Sequence, residues 1–265
     1  MRARSREIAE GLAAACSMFS VLPAPSAALK GARLKYAMCF FPLIGAVIGG
    51  AGLGWLALCR RFGAVPQLFA AVMCAVPVVI SGGIHMDGFI DACDAFFSRG
   101  DERRRREILR DPHAGAFGVT ACALYFILQF GLWSQIYALP GSCRFGLAVF
   151  SAFVISRALG GLFIAQFKTA DGSGLARAFG DSADKGAVIW TMAAVCILTA
   201  AGLALVSVYL AAFMAIACMA LLCGFAGFCA RAFGGITGDL AGCLVQLAEL
   251  MVIGVCAAGG IICSH

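Results

Sequence analysis

The sequence predicts an all-α protein, a polytopic transmembrane helical bundle of about seven spans preceded by an interfacial helix. Of the 265 residues, 62% are hydrophobic and 13% are charged, whereas soluble domains carry about 45–50% apolar and about 25% charged residues. The apolar residues fall into runs near the length of about 20 residues that a spanning helix needs. Because no linker or low-complexity tract divides the chain, residues 1–265 are expected to form a single integral membrane domain.

The amino-terminal segment is predicted to be an amphipathic helix on the membrane surface. Its basic residues and apolar stretch are similar to those of a signal peptide, but Glu7 and Glu10 interrupt that pattern. Apolar residues instead recur at helical spacing, at Ile8, Leu12, Cys16, Phe19 and Leu22. A helix with one apolar face and one charged face is typical of the membrane interface.

Seven apolar runs follow, and each is a predicted span. They cover residues 36–58, 64–84, 116–139, 145–167, 187–206, 209–228 and 240–262. With a cytoplasmic amino terminus, 16 of the 20 Lys and Arg residues lie inside the cell, so the positive-inside rule selects this orientation. The same orientation places three polar segments, 82–115, 168–186 and 229–239, on the cytoplasmic face as predicted active-site loops.

The first polar segment carries three aspartates at helical spacing. Asp87, Asp91 and Asp94 stand at i, i+4 and i+7, which puts them on one face of a helix. Such a stripe is costly near a bilayer unless it is paired, and oxygen ligands suit Mg²⁺ or Mn²⁺. A solvated acidic helix face is the alternative. The sequence leaves three roles open for His85: a general base, a metal ligand or a hydrogen-bonded interfacial histidine.

Four arginines follow the aspartates, from Arg103 to Arg106. Such a run near a membrane either fixes topology and meets anionic lipid, or clamps a diphosphate with its planar forked donors. Arg157 lies inside a predicted span, where a guanidinium needs an anion or a wet cavity. The glycine-rich stretch from Lys168 to Leu175 either wraps a phosphate or forms a plain turn. Asp239 and Glu249 are the remaining acids that a site could recruit from another span.

These residues resemble one known family, cobalamin synthase, also called adenosylcobinamide-GDP ribazoletransferase. The resemblance extends in family order over nearly the whole chain, and its central block, residues 82–94, is highly specific. It rests on Leu22-Pro23-Ala24-Pro25, Phe40-Phe41-Pro42-Leu43-Ile44-Gly45, Gly82-Gly83-Ile84-His85-Met86-Asp87-Gly88 with Asp91 and Asp94, Arg104-Arg105, Glu107-Ile108-Leu109, Asp111, Gly115-Ala116-Phe117-Gly118, Ser156-Arg157, Gly174-Leu175 and Gly234-Gly235-Ile236-Thr237-Gly238-Asp239. The family usually has an acid where this chain has Gln246, which leaves the role of that position open.

The resemblance implies a transferase that joins adenosylcobinamide-GDP to α-ribazole or its 5′-phosphate with Mg²⁺, releasing GMP, at the prokaryotic inner membrane. The implied catalytic residues are His85, Asp87, Asp91, Asp94 and Asp239, with the first three aspartates as metal ligands. The implied substrate-binding residues are Arg104, Arg105, Arg110, Asp111, Arg157, Lys168 and Glu249. The implied partners are these substrates and membrane lipid, without nucleic acid, and a homo-oligomer is left open.

Two other functions use residues of the same types. A CDP-alcohol phosphotransferase-like lipid enzyme also sets spaced aspartates on membrane helices, but its D-x-x-D-G-x-x-A-R signature is missing, because Phe89-Ile90-Asp91 follows Asp87-Gly88. A transporter or channel would place polar residues near the bilayer midplane and usually shows repeats. The acids of this chain gather at one face, and the sequence has no repeat.

Overall fold

The computed structural model describes residues 2–24, 34–139, 146–170 and 183–262. In these ranges the chain forms ten α-helices and no β-strand, which confirms the all-α prediction. The helices are α1 (Arg2–Phe19), α2 (Phe41–Phe62), α3 (Pro66–Ser81), α4 (Ile84–Phe97), α5 (Glu102–Ile108), α6 (Ala116–Ala138), α7 (Gly146–Gln166), α8 (Lys185–Ala204), α9 (Val208–Phe233) and α10 (Gly238–Ile262).

Five helices are long and apolar enough to cross a membrane. They are α2 with the 3-10 turn before it (Ala37–Phe62), α6, α8, α9 and α10. The apolar stretch Phe150–Gln166 of α7 is shorter. Large apolar side chains on α8 and α9 remain exposed, among them Trp190 and Phe213, as lipid-facing surfaces require. The described residues thus form a membrane protein with five such spans, or six if α3 and α4 together make one, which is fewer than the seven predicted.

The second predicted span is the one that the structure changes most. α3 has 16 residues, about 24 Å of helix, which is shorter than the hydrocarbon core of about 30 Å. It ends at Gly82 and Gly83, whose φ angles of 65° and 79° lie in the left-handed region. The chain bends by 98° there and continues as α4. The sequence predicted one span over residues 64–84. The structure instead has a short helix that ends at a sharp bend.

The core of the bundle lies around α7 and α10. Residues 151–161 of α7 are all buried, because α2 packs on one side and α8 and α10 on others. Gly45 and Gly49 on α2 permit this close packing: a Cβ at Gly45 would overlap the carbonyl oxygen of Phe153, and one at Gly49 would lie 2.9 Å from the ring of Phe150. This small-xxx-small spacing is typical of membrane helix pairs.

The amino-terminal helix α1 packs against the 3-10 turn before α2 and against α2 itself. Ala14 and Ala15 are fully buried and Phe19 is nearly so. Beyond the helix, the amide of Val21 donates to the carbonyl oxygen of Ile80 at 2.9 Å. One face of α1 is therefore part of the protein core, while Ile8 on another face is exposed.

Candidate active site

The acidic helix α4 crosses the beginning of α10 at very short distance. A Cβ at Gly88 would lie 2.6 Å from the carbonyl oxygen of Asp239, and one at Gly242 would lie 3.2 Å from the carbonyl oxygen of His85. Only glycine allows backbones to approach this closely. The crossing brings Asp239 from a distant part of the sequence next to Gly88 of α4, one residue after Asp87.

Three carboxylates meet at this crossing, and we call Asp87, Asp91 and Asp239 the carboxylate cluster. The negative charges of Asp87 and Asp239 both act on Asp91, and that of Asp87 acts on Asp239. Asp87 is exposed, whereas the other two are half-buried. Like charges that are partly removed from water repel strongly unless a cation or a proton offsets them. The arrangement can therefore take up either a cation or a proton.

The donor atoms of the cluster fit Mg²⁺, which prefers carboxylate oxygens. Within the described ranges, no group of three or more Asp, Glu, His or Cys side chains is arranged as a metal cage. A preformed cage is not needed, because protein-bound Mg²⁺ commonly uses one or two carboxylates, several waters and the phosphates of the substrate. The cluster thus offers ligands that substrate phosphates would complete.

Asp94, the third aspartate of the stripe, makes different contacts. It is buried, and its two carboxylate oxygens accept hydrogen bonds from the amides of Gly115 at 2.7 Å and Gly118 at 2.9 Å. Those amides belong to the start of α6, where the first helical N–H groups have no partner within the helix. Asp94 therefore caps α6 and joins it to α4, a role that the sequence did not predict.

We expect Asp94→Asn to weaken folding as well as activity, because an amide cannot accept from both glycine N–H groups through two oxygens. The loss should be about 1–2 kcal/mol in the free energy of unfolding, the usual range for a lost helix cap. Thermal unfolding of the detergent-solubilised protein measures it. Asp87→Asn is the matched control and should leave the melting temperature unchanged. Equal melting temperatures for both variants would contradict the capping role of Asp94.

The four arginines of the basic run differ in their contacts. Arg103 and Arg104 are exposed and pair with Glu107 at 3.2 and 3.3 Å. Arg105 lies 6.0 Å from the ring centre of Phe96. Arg106 reaches the end of α9, where its Nε donates to the carbonyl oxygen of Phe233 at 2.7 Å while its Nη2 pairs with Glu102 at 2.7 Å. Arg106 thus docks α5 against the turn before α10.

Arg106→Lys should consequently have a measurable effect on stability, although the family resemblance implied roles for Arg104 and Arg105 instead. Lysine keeps the charge but has a single nitrogen. It therefore lacks the planar pair of donors with which Arg106 binds the Phe233 carbonyl and Glu102 together. We expect a loss of about 1 kcal/mol in the free energy of unfolding, the usual worth of one hydrogen bond. Trypsin cleavage in the 99–110 segment should also become faster. Arg103→Lys, a neighbour with only the exposed Glu107 pair, should be silent in both measurements, and identical results for the two would refute the docking role.

The second and third polar segments meet beside α5. The amide of Ala170 donates to the carbonyl oxygen of Ile236 at 2.9 Å. The amide of Ile236 in turn donates to the carbonyl oxygen of Lys168 at 3.0 Å. Lys168 is exposed beside the chain that leads to Asp239. Described parts of all three predicted loops therefore come together in one region. Residues 171–175 of the glycine-rich stretch lie outside the described residues.

Arg110 and Asp111 lie at the edge of this region and are exposed. His113 donates its amide to Asp111 at 3.0 Å, and its Nδ1 lies 2.8 Å from the same oxygen. These hydrogen bonds from His113 hold the pKa of Asp111 below its usual range. The charge of Asp111 also acts on Asp91, so the loop after α5 lies within electrostatic reach of the carboxylate cluster.

Arg157 and Glu249 are brought together, but away from the surface. Both side chains are fully buried and form an ion pair with each other. Tyr125 donates to the second oxygen of Glu249 at 3.5 Å and accepts from Gln129 at 2.6 Å. The pair that was predicted to bind substrate is therefore closed off in this conformation. Sequence reasoning missed Tyr125 and Gln129, although a glutamine within an apolar run was a usable signal.

Comparison with known proteins identifies the family of the chain. The sequence matches the family model described as Cobalamin-5-phosphate synthase over residues 11–257. The chain belongs to this family. Proteins named adenosylcobinamide-GDP ribazoletransferase from Lachnoclostridium phytofermentans and Geobacillus kaustophilus are 40% and 32% identical to it. The alignments cover 94% of both chains in the first case, and 91% of this chain and 92% of the relative in the second.

A further relative of the same name, from Azorhizobium caulinodans, is 33% identical over 93% of this chain and 95% of its own length. No solved structure matches the chain. The cobalamin-5-phosphate synthase family match spans α2 to α9, half of α1 and most of α10, so it includes the carboxylate cluster, α5 and the buried ion pair.

Proposed function

We propose that this protein joins adenosylcobinamide-GDP to α-ribazole or α-ribazole 5′-phosphate, giving adenosylcobalamin or its 5′-phosphate and releasing GMP. Membership of the cobalamin-5-phosphate synthase family and the shared name of its relatives support the transferase activity. The structural observation that carries the proposal is that α5 and the segment of Lys168 both bond to the chain leading to Asp239, through Phe233 and Ile236. Acidic metal ligands beside several cations are what a diphosphate substrate needs.

The cofactor that we propose is Mg²⁺, held by Asp87 and Asp91 with Asp239 nearby. When bound, it supplies positive charge next to the phosphate oxygens. The carboxylates themselves are fixed by packing, since the crossing of α4 and α10 at Gly88 sets the distance between Asp87 and Asp239. Asp94 contributes through α6, because its hydrogen bonds to Gly115 and Gly118 hold the two helices together.

The cationic residues are proposed to position the diphosphate. Arg104, Arg110 and Lys168 have exposed side chains on the polar segments at this end of the bundle, and their N–H groups can neutralise phosphate oxygens. The ribazole hydroxyl oxygen then forms a bond to the phosphorus attached to cobinamide. The bond from that phosphorus to the bridging oxygen breaks, and GMP leaves with the electron pair while the hydroxyl proton is lost to the medium. Positioning and charge neutralisation account for most of the rate.

The proposal is tested by incubating the protein in lipid nanodiscs with adenosylcobinamide-GDP, α-ribazole 5′-phosphate and Mg²⁺. Mass spectrometry should detect GMP and a cobalamin 5′-phosphate in equal amounts, and removal of the metal with EDTA should stop both. CDP-diacylglycerol with an alcohol acceptor serves as the control substrate pair. Release of CMP without any corrinoid product would replace the proposal with the lipid phosphotransferase alternative.

The location that we propose is the prokaryotic inner membrane, with the carboxylate cluster on the cytoplasmic face. The distribution of Lys and Arg supports it. Reporter fusions after Arg110 and after Lys185 should score as cytoplasmic, and one after Leu139 as external. An external signal at Arg110 would place the cluster on the side opposite to GDP-activated substrates and would overturn this orientation.

A further inference from the structure

A second set of polar residues lies in the core, beside the first turn of α4. Its members come from four helices and are all at least nine-tenths buried: His85 on α4, Tyr125 and Gln129 on α6, Arg157 on α7 and Glu249 on α10. Ionisable side chains among membrane helices are costly and usually have a function. We call these five residues the buried polar network.

The guanidinium of Arg157 uses only one of its three nitrogens. Its Nη1 contacts Glu249, the hydroxyl of Ser156 at 3.0 Å and the carbonyl oxygen of Phe153 at 3.4 Å. Its Nε and Nη2 have no hydrogen-bond partner among the described residues. An unpaired buried donor costs about 1–3 kcal/mol, and native structures contain few of them. The Nε and Nη2 edge, a planar fork, is therefore available to an acceptor.

His85 provides such an acceptor close by. Its ring centre lies 5.4 Å from that of Phe41, and its Nδ1 has no hydrogen-bond partner among the described residues. Gly45 follows Phe41 by one turn on α2, and a Cβ there would lie 3.0 Å from Cδ of Arg157. The charge of Arg157 also acts on His85. The unpaired atoms of both side chains thus lie in the same part of the core.

We propose that Arg157 is a positioning residue for His85, with its Nε and Nη2 edge bonded to Nδ1 of His85 through one internal water. Glu249, held by Tyr125, fixes the guanidinium from the other side. His85 precedes Asp87 by two residues in the first turn of α4, so holding the imidazole holds the start of the acidic helix. The inference rests on the proposed function only where catalytic rates are measured.

A purely structural ion pair does not explain this arrangement. Replacing a buried ion pair with apolar residues is often neutral or stabilising, so such a pair is weak evidence for a stabilising role. A pair that served only to join α7 to α10 would also have no reason to leave two nitrogens unpaired in the part of the core that holds His85. Conformational control of α4 accounts for both features.

The contact itself can be tested without any assay of activity. The chain has three histidines, so labelling with ¹⁵N-histidine gives few imidazole signals, and His85→Asn assigns that of His85. In nanodiscs, Arg157→Lys should shift the His85 nitrogen signals, because lysine keeps the charge beside Glu249 but has no second donor edge. The signals of His113, which is exposed beside Asp111, should stay in place. Unchanged His85 signals in Arg157→Lys would overturn the inference.

Kinetics separate positioning from direct binding of substrate. Arg157→Lys should lower kcat by about tenfold or more, since misplaced groups cost up to about 10²-fold, with KM for adenosylcobinamide-GDP within about twofold and the melting temperature nearly unchanged. Ser156→Ala, which removes a contact to Nη1 only, is the matched control and should change kcat by less than about twofold. A raised KM with unchanged kcat would mean that Arg157 binds substrate, which also overturns the inference.

If the wild-type protein formed no corrinoid product, the proposed function would fail, and the ¹⁵N signals would still decide the contact.

Discussion

Replacing Asp91 with asparagine is expected to remove GMP release, with a loss of about 10²-fold or more in kcat. The charges of Asp87 and Asp239 both act on Asp91, so Asp91 can share a cation with either of them. Asparagine keeps the shape of the side chain and deletes the negative charge. Loss of one group that stabilises transferred charge typically costs about 10²–10³-fold in rate. Membrane insertion and melting temperature should remain near those of the wild-type protein.

Asp184→Asn is the matched control for this experiment. Asp184 caps α8 by accepting a hydrogen bond from the amide of Ala187 at 3.0 Å, and it does not belong to the carboxylate cluster. Its variant should retain activity within about threefold, or about 0.7 kcal/mol of barrier. If Asp91→Asn and Asp87→Asn also stayed within that limit, the cluster would not be the metal site, and the acidic face of α4 would be a solvated surface.

Gly45→Ala is expected to have the largest effect on folding. The added Cβ would overlap the carbonyl oxygen of Phe153 and lie 2.7 Å from its carbonyl carbon, so the backbones of α2 and α7 would have to separate. Those carbonyl atoms belong to the backbone of a buried helix and cannot rotate away as a flexible side chain would. Overpacking of a tight core costs about 1–3 kcal/mol or more, and we expect a loss of about 3 kcal/mol.

The same helix supplies the control. Gly50 also lies within α2, but a Cβ there would meet no atom within 4 Å, and alanine has the higher helix propensity by about 0.8–1.0 kcal/mol. Gly50→Ala should therefore leave the melting temperature unchanged or raise it slightly. Thermal unfolding followed by tryptophan fluorescence, in the same detergent for both variants, makes the comparison. Similar melting temperatures for Gly45→Ala and Gly50→Ala would show that α2 and α7 are not in close backbone contact.

The positions of the apolar helices were predictable because a membrane-spanning segment can be recognised from its composition and its length alone. The predicted run 116–139 corresponds to α6 (Ala116–Ala138), and the predicted run 240–262 corresponds to most of α10 (Gly238–Ile262). The direction of the chain after α3 was not predictable in this way. A hydropathy run that contains two glycines gives no indication of whether they continue a helix or turn it, and Gly82 and Gly83 turn it.

The candidate site was predictable as a set of residue types but only in part as a set of contacts. The cost of a buried guanidinium predicted that Arg157 needs an anion or a wet cavity, yet Glu249, 92 residues further on, could not be chosen as its partner from the sequence. Asp94 shared the spacing of Asp87 and Asp91, but its partners depend on where α6 begins in space. Contacts between distant segments follow from packing, which local spacing does not contain.

The bend between α3 and α4 changes the direction in which the three aspartates are spread. Asp87 and Asp94 are seven residues apart, which is about 10 Å along a helix. On a straight continuation of α3, that distance would be a difference in depth along its axis. With the observed bend of 98°, it amounts to roughly 1.5 Å along the axis of α3. The acidic residues are thus arranged side by side at nearly one level, so a substrate would meet Asp87 and Asp91 next to each other, while Asp94 at the far end caps α6.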